Sequence, residues 1–317
     1  MILLIYKVDM KFTLRQLEVF VAMARQESVS RAAEALSLSQ SATSTALGEF
    51  ERAYDTTLFD RVGKGLRLNE VGAQLLPAAV ELLDHASGIE DLLGGHAGFG
   101  PLKIGATLTI GNYLATLIVT KYLQQHGESE VQLQVRNTSA IIEQLTKFEL
   151  DLGLIEGDCQ HPDLVVTPWV EDELVVFCAP THLLAGKTDV ALSELQAEAW
   201  IMREPGSGTR QTLDQALSRH LFHPNVRLVL EHTEAIKRAV ESGLGIGCIS
   251  RLALREAFRR GSLQPIEVPE LDLRRHFNFV WHRRKHQTPG MRAFLDHCHA
   301  LTAGVRRSDE IDLPYIL

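Results

Sequence analysis

The stretch Ser28–Glu51, SVSRAAEALSLSQSATSTALGEFE, predicts two short helices joined by a tight turn. Its first half repeats apolar residues at spacings of three and four, which places them on one helical face. These residues are Val29, Ala32, Ala33 and Leu36. Ser28 or Ser30 can cap the first helix and Ser39 the second, because a serine hydroxyl accepts a bond from an unpaired backbone N–H. The stretch therefore predicts a helix-turn-helix.

The second of these helices has an apolar face and an uncharged polar face. Ala42, Ala46 and Phe50 are four residues apart and are predicted to face inward. The other face carries short hydrogen-bonding side chains, namely Gln40, Ser41, Thr43, Ser44 and Thr45. Such side chains suit a major groove, where glutamine can pair bidentately with adenine. A helical hairpin with a solvated polar face is the alternative that two helices alone leave open.

A predicted β-hairpin follows these helices. Leu58-Phe59 and Leu66–Leu68 are strand-like, and Gly63-Lys64-Gly65 is a turn with a cation at its tip. The hairpin is a wing whose cations can meet phosphates beside a groove. The residues predicted to contact DNA are therefore Arg31, Ser39, Gln40, Ser41, Thr43, Ser44, Thr45, Arg61, Lys64 and Arg67.

In order and spacing, these segments resemble the LysR-type transcriptional regulators. The residues that carry the resemblance are Phe20, Ser28, Ala32-Ala33, Leu36, Ser39-Gln40, Ala42, Ser44, Glu51, Leu58-Phe59, Arg61 and Gly72. It covers about residues 11–302 and implies a DNA-binding regulator, not an enzyme, with double-stranded DNA and RNA polymerase as partners. Many relatives carry Arg, Lys or Gln where this chain has Thr45, Ala46 and Gly48, so target specificity does not carry over.

The composition fits a globular protein with local, not general, attraction to nucleic acid. The chain has 317 residues, 45% of them hydrophobic, and a formal net charge of −8. From Lys11 to Arg67 we count eight Lys/Arg against seven Asp/Glu, so DNA binding must rest on local placement of charge. No apolar run is long enough for a membrane span, and four scattered cysteines favour a reducing cytoplasm.

A long helix is predicted after the wing. Asn69 caps a helix from Glu70 to about Leu93, roughly 36 Å long, which Pro77 is expected to bend. Its apolar residues alternate spacings of four and three, as in a heptad seam: Leu75, Ala79, Leu82, Ala86, Ile89 and Leu93. We expect a homodimer through this linker helix, and the resemblance implies a tetramer. Docking of the helix on its own domain is the alternative.

Beyond a glycine-rich hinge at Gly94–Gly100, strands and helices alternate, which implies a mainly parallel sheet. The resemblance implies a two-lobed α/β effector domain similar to periplasmic binding proteins. The fold class is therefore α/β, with an N-terminal winged helix-turn-helix and a long linker helix. The expected domains are 11–69 for the winged helix-turn-helix, 70–94 for the linker, 100–180 with 276–304 for lobe I, and 181–275 for lobe II.

A small oxyanion site is predicted between the lobes. Three polar segments follow strands and precede helices, where N-terminal N–H groups point outward. Their candidate effector-binding residues are Thr107, Thr109, Asn137, Ser139, Ser207, Gly208, Thr209 and Arg210. Helix capping is the alternative for each segment alone. The segment Arg203–Arg210 also resembles relatives that respond to sulphur-containing anions, so a sulphite-like effector is the best candidate, with no cofactor.

Two further motifs are set aside. Gly243–Gly247 mimics a dinucleotide loop, but it follows a helix and enters a strand, the reverse of the required order. The histidines near the carboxyl end match no standard zinc spacing: His282, His286, His297 and His299, with Cys298. No nucleophile elbow is present. The rival interpretation is a ligand-binding or enzymatic α/β protein whose N-terminal helices serve only for oligomerisation.

Replacing Gln40 by alanine tests base readout. We expect a loss of roughly 1–3 kcal/mol at a footprinted specific site, with little loss on random DNA. Arg61→Ala is the comparison variant, because loss of a phosphate contact should weaken binding on both DNAs and flatten the salt dependence by about one unit. Titrations at several salt concentrations measure both effects. Equal weakening of Gln40→Ala on the two DNAs would contradict a base contact.

Overall fold

The computed structural model describes residues 10–63, 65–93 and 101–312. They form two compact units. Unit 1 contains the described residues up to Leu93 together with Lys147–Glu149 and Arg284–Thr288, and unit 2 contains the remainder. No described helix is both long enough and apolar enough to cross a membrane. The predicted hinge at Gly94–Gly100 lies outside the described residues.

Unit 1 begins with the three predicted helices, α1 (Leu14–Gln26), α2 (Val29–Ala35) and α3 (Gln40–Ala53). Each starts at a hydroxyl cap, since Thr13, Ser28 and Ser39 accept bonds from backbone N–H groups in the first turn. The core they share contains Leu17, Val19, Phe20, Met23, Ala32, Leu47 and Phe50. The apolar spacing of Leu14, Leu17, Phe20, Val21 and Ala24 predicts α1 with a buried stripe, but Leu14 is 46% exposed because it lies in the first turn, at the edge of this core.

The predicted wing and linker helix follow. The strands β1 (Phe59–Val62) and β2 (Gly65–Leu68) pair antiparallel. Helix α4 (Glu70–Leu93) starts after Asn69, whose Oδ1 accepts a bond from the Gly72 N–H at 2.9 Å. A Cβ on Gly72 would lie 2.2 Å from the Leu58 carbonyl oxygen, so only glycine permits this approach of α4 to the wing. Pro77 lies within the helix.

Unit 2 is the predicted two-lobed α/β structure. Its elements are β3 (Pro101–Thr107), α5 (Leu108–Ile110), a π-helical turn (Gly111–Ala115), α6 (Thr116–Gln125), β4 (Glu130–Arg136), α7 (Thr138–Thr146), β5 (Leu152–Glu156), β6 (Leu164–Cys178), β7 (Ala199–Arg203), α8 (Gly208–Ser218), β8 (Asn225–Leu230), α9 (Thr233–Glu241), β9 (Ile246–Ser250), α10 (Arg251–Arg260), β10 (Gln264–Ile266), β11 (Arg274–His282) and α11 (Pro289–Leu301). The sequence pattern did not predict helix α10 or strand β10.

Two long antiparallel strands connect the lobes. The strand order is β4-β3-β5-β11-β6-β9-β7-β8, with β10 beside β6. The first part of β6 pairs with β11 in lobe I, and Leu174–Phe177 pairs with β9 in lobe II. The apolar run Leu174–Ala179 predicts a strand that starts at Leu174, but β6 starts ten residues earlier, at Leu164, because Pro168 interrupts the strand pattern in the sequence. The register shifts between Phe277 and Asn278 of β11, where β6 has one extra residue next to Pro168, and this bulge accommodates the missing N–H.

A buried charged cluster lies where β6 and β11 pair. Arg275 of β11 donates from Nη2 to Glu156 and from Nε to Asp172, both at 2.7 Å. All three side chains are at most 3% exposed. Burial alone would lower the pKa of Arg275, but the two carboxylates raise the pKa above its ordinary value. The cluster thus holds a permanently charged guanidinium between β5, β6 and β11.

The tail after Gly304, which the sequence left unexplained, closes over this cluster. Ser308 begins a short 3-10 turn and its hydroxyl donates to Asp172 at 2.5 Å. The Ser250 hydroxyl donates to the same carboxylate oxygen at 2.6 Å. Ile311 is buried in the core of lobe I, and Arg255 of α10 donates to its carbonyl oxygen. The tail therefore contacts both lobes.

Arg275→Met should destabilise unit 2 strongly, because it leaves two buried carboxylates without their cation. A cost of about 3–5 kcal/mol is expected, which lowers Tm by roughly 6 °C or more for a unit of this size. Arg274→Met is the matched control, since Arg274 pairs with Asp272 at an exposed site and should change stability by about 0.5 kcal/mol at most. Thermal unfolding followed by circular dichroism compares them; equal shifts would contradict the role of the cluster.

Candidate functional site

Helix α3 presents a polar, uncharged face. Gln40, Ser41, Ser44 and Thr45 are all exposed. Ser39, which caps the helix, also lies 3.0 Å from Ser41, hydroxyl oxygen to hydroxyl oxygen. Four predicted contact residues thus share one accessible face at the start of the helix. Their side chains are free to meet base edges.

Thr43 is not part of this face, which corrects the sequence prediction. It is fully buried, and Ala42, predicted to face inward, is exposed. The inward positions are Thr43, Leu47 and Phe50. The Thr43 hydroxyl donates to the Ser39 carbonyl oxygen at 3.0 Å, so the polar group is satisfied within the helix. A threonine can therefore face the core at the turn of the helix where the sequence predicted that an alanine would.

The predicted cations lie at the edges of unit 1. Arg61 and Arg67 of the wing are exposed, and Lys64 lies outside the described residues. Arg31 is also exposed, and its guanidinium donates to the Gln26 carbonyl oxygen. Glu51 accepts a bond from the Leu58 N–H at 2.7 Å, which holds the start of the wing. The Glu51 carboxylate therefore braces the fold instead of pairing with Arg61.

In unit 2, a cavity of about 420 Å³ lies between the two lobes. Lobe I lines it with Leu108, Asn112, Val135, Arg136, Asn137 and Ala140. Lobe II lines it with Glu204, Glu231 and His232. These residues sit at the carboxyl ends of β4, β7 and β8 and near the start of the helix after β3. This is the position where open α/β sheets bind ligands.

Two helices begin at this cavity. Arg136 and Asn137 immediately precede α7, and Glu231 and His232 immediately precede α9. The Asn137 amide oxygen caps α7 by accepting from the Ala140 N–H at 3.0 Å. His232 is the first residue before α9 and makes no side-chain cap. The unpaired N–H groups of such helix starts create a positive potential.

Charged groups beside the cavity are partly neutralised. Glu204 is bound bidentately by Arg203, at 2.8 and 2.9 Å. The buried Nη1 of Arg203 and the buried hydroxyl of Thr233 have no hydrogen-bond partner among the described residues. Both residues are direct neighbours of cavity-lining residues. Unsatisfied buried donors are rare in native proteins.

Only one predicted effector residue, Asn137, lines this cavity. The others lie along the contact between the lobes and already make protein bonds. Ser139 donates to the Gly206 carbonyl oxygen from its N–H and its hydroxyl, and the Gly208 N–H donates to Thr138. A Cβ on Gly208 would lie 2.1 Å from the Glu156 carbonyl oxygen, so glycine is required for this approach.

The remaining predicted residues are also engaged. The Thr107 hydroxyl donates to the Leu154 carbonyl oxygen, and Thr209 accepts from Arg275 at 3.1 Å. The Thr109 N–H donates to Glu156. Ser207 caps α8, and Arg210 pairs with Asp214. The alternative of helix capping thus describes Ser207, while Thr107 and Thr109 are almost fully buried.

A second polar contact joins the lobes, through Tyr113 and α9. The Tyr113 hydroxyl of lobe I donates to Glu234 of α9, and Lys237 pairs with the same carboxylate at 2.6 Å. Burial opposes ionisation of Glu234, but Lys237 and Tyr113 outweigh it and lower the pKa of the carboxyl. Asn112 and His232, which line the cavity, are the chain neighbours of this contact.

Arg136 and Glu231 line the cavity but were not among the residues predicted from the sequence. Arg136 ends β4 and Glu231 directly follows β8, so the rule that ligands bind at carboxyl ends of strands could have found both. The effector site predicted from the sequence lies instead in segments rich in hydroxyl groups and glycine. Those residues instead form the bonds between the lobes.

Comparisons with known proteins show which protein families this chain matches. Residues 14–73 match the bacterial regulatory helix-turn-helix proteins of the lysR family, and residues 96–303 match the LysR substrate binding domain. The chain is 42% identical over 289 residues to the uncharacterized HTH-type transcriptional regulator YeiE of Escherichia coli (strain K12), covering 91% of this chain and 98% of YeiE.

Solved structures of LysR-type regulators have a similar fold. A full-length OxyR variant from Pseudomonas aeruginosa superimposes with a TM-score of 0.71 at 22% identity, covering 91% of this chain and 95% of OxyR. The CcmR regulatory domain of Synechocystis PCC6803 in complex with 2-PG is 30% identical, with a TM-score of 0.62, covering 65% of this chain and 99% of that domain. The chain therefore belongs to the LysR-type transcriptional regulators, DNA-binding proteins with an effector-binding domain.

Proposed function

We propose that this regulator responds to a small anionic effector bound in the interlobe cavity of unit 2. The observation that carries the proposal is the convergence of two helix N-termini, α7 and α9, on one cavity with Arg136 and the Asn137 amide in its wall. Helix starts and an arginine fork are recurrent anion ligands. The similarity to the CcmR domain, whose structure contains 2-PG, supports a small ligand in this kind of domain.

The charges around the cavity admit one anionic group. Glu204 lies in the wall, but Arg203 neutralises it at 2.8 Å. Glu231 is exposed and faces water, where its repulsion is screened. Arg136 and the two helix starts remain as the positive groups, and the unpaired Arg203 Nη1 and Thr233 hydroxyl are candidate donors. Neither Arg203 nor Thr233 is in the cavity lining, so Arg136 and the helix starts carry the attraction for an anion.

The size of the cavity bears on the identity of the anion. About 420 Å³ falls in the range typical of pockets for small organic ligands. A sulphite-like ion, the candidate from sequence, would fill only a fraction of this volume and would be accompanied by water. Sulphite therefore remains one candidate effector, and a small organic carboxylate or phosphate is another. The eight residues predicted from sequence remain an alternative site, centred on Thr107.

Arg136→Gln tests this site. Wild type is titrated with sulphite, sulphate, phosphate, nitrate and small carboxylates at fixed ionic strength, with melting temperature as the readout. A ligand at 100 times its Kd should stabilise unit 2 by about 2.7 kcal/mol. Arg136→Gln should weaken binding about tenfold or more, since a bond to a charged group contributes about 1.5–3 kcal/mol. Arg227→Gln, an exposed arginine of β8 outside the cavity, is the matched control.

Three outcomes would overturn the proposal or relocate the site. If no anion shifts the wild type, the effector is not an anion of these classes. If Arg136→Gln and Arg227→Gln lose the same affinity, the effect is general electrostatics. If Thr107→Val abolishes the response while Arg136→Gln preserves it, the effector binds in the cluster predicted from sequence. DNA affinity measured in parallel reports whether binding is coupled to the DNA-binding domain.

We further propose that α4 forms a homodimer seam. Leu82, Ile89 and Leu93 of the predicted heptad are 39%, 58% and 84% exposed, which is unusual for large apolar residues at one helical face. Ala79 of the same series is instead buried in the core of unit 1, so the seam would run over the second half of the helix. Two copies of α3 would then read two half-sites. A tetramer, RNA polymerase as a partner and a cytoplasmic location remain predictions.

Ile89→Lys should weaken this dimer by placing a charge in an apolar seam. Ser87→Lys, also exposed on α4 but off the seam, is the matched control with the same added charge. Sedimentation at several protein concentrations should give more monomer for Ile89→Lys alone. A fully dimeric Ile89→Lys protein would show that α4 does not form the dimer contact.

A further inference from the structure

Three side chains of types that bind metal ions converge in unit 1, and none of them belongs to the polar face of α3 or to the lining of the interlobe cavity. Glu81 and His85 belong to α4, and His286 belongs to the segment Arg284–Thr288 of the same unit. One potential ligand atom from each residue lies within 4.8 Å of the other two. Local sequence patterns do not indicate this group, because His286 is about 200 residues from the other two.

The helix and the segment are arranged to hold the three groups together. Glu81 and His85 are four residues apart, so both side chains project from the same face of α4. The imidazole rings of His85 and His286 have centroids 4.1 Å apart and are tilted by 42°. Next to them, Lys285 pairs with Asp84 at 2.6 Å, with the Lys285 side chain only 4% exposed. This ion pair fixes the segment on α4 and presents His286 to His85.

We propose that Glu81, His85 and His286 form a binding site for a divalent transition metal ion of the Zn²⁺ class. Two imidazoles and one carboxylate are a ligand set that Zn²⁺ accepts, with water at the fourth position. Ligand atoms around tetrahedral Zn²⁺ are about 3.3 Å apart, given bonds of roughly 2.0–2.2 Å. Contraction from 4.8 Å needs side-chain movements on the order of 1 Å, which exposed Glu81 and His85 can make.

The local charge permits a cation. Arg283, Arg284 and Lys285 precede His286 in the chain, but Asp84 neutralises the nearest of them, Lys285. Glu81 supplies the negative charge of the site itself. The bound ion would join α4 to the segment that connects β11 to α11. This site shares no residue with the interlobe cavity, so its test is independent of the anion proposal.

The test is Zn²⁺ binding by the full-length protein after removal of metal with a chelator. Competition with a chromophoric chelator should give one Zn²⁺ per chain. His85→Ala and His286→Ala should each lower the affinity by about 100-fold or more, because loss of a mere outer partner already costs about 10–100-fold. The double variant should bind Zn²⁺ more weakly than either single one, because it keeps only Glu81 of the three protein ligands. Co²⁺ is the spectroscopic probe, and Glu81→Gln should change its visible spectrum.

His220→Ala is the matched control, an exposed histidine of unit 2 that should leave Zn²⁺ affinity unchanged. The control matters because the chain has 13 histidines and 4 cysteines that could bind zinc adventitiously. Circular dichroism of each variant verifies folding. The proposal fails if His85→Ala and His286→Ala bind Zn²⁺ like the wild type, or if the wild type binds none. Two Zn²⁺ per wild-type chain, with one lost in each single histidine variant, would indicate two separate sites and would also overturn it.

Discussion

The two-lobed unit depends on the contacts that the buried Arg275 guanidinium makes. It joins Glu156 at the end of β5 to Asp172 of β6 and contacts Thr209 of α8. A charge buried this deeply is tolerated only when its partners are fixed around it. The hydroxyls of Ser250 and Ser308 complete the shell of Asp172, so the carboxyl-terminal tail is bound into the same cluster.

This cluster also bears on the proposed effector site. Because the lobes are joined at Thr209 and Gly208, the hydroxyl-rich segments meet one another and use their donors and acceptors in protein bonds. Space between the lobes opens beside them, towards Arg136 and His232. The residues best suited chemically to an oxyanion are thus the ones that hold the lobes together. An effector that changed these bonds would act directly on the lobe arrangement.

In unit 1, the rotation of each helix about its axis decides which residues face the core and which face solvent. The small core admits Thr43 because its hydroxyl bonds back to the Ser39 carbonyl oxygen, and this choice rotates Ala42 out to solvent. The exposed face of α3 then consists of Gln40, Ser41, Ser44 and Thr45. On α4, the heptad positions divide between the core at Ala79 and solvent at Ile89, so one apolar pattern serves two environments.

The sequence by itself determined the elements whose signals are local. Hydroxyl caps, apolar periodicity and glycine turns predicted α1–α4, the wing and the alternation of strands and helices, because each depends on neighbours within a few residues. Tertiary structure alone decided the partners of Arg275, which lie 119 and 103 residues away in the chain. It likewise decided the start of β6, because pairing with β11 extends the strand on both sides of Pro168. The contact of His286 with His85 of α4 also depends on tertiary structure alone. Contacts of this range arise from packing and carry no mark in local spacing.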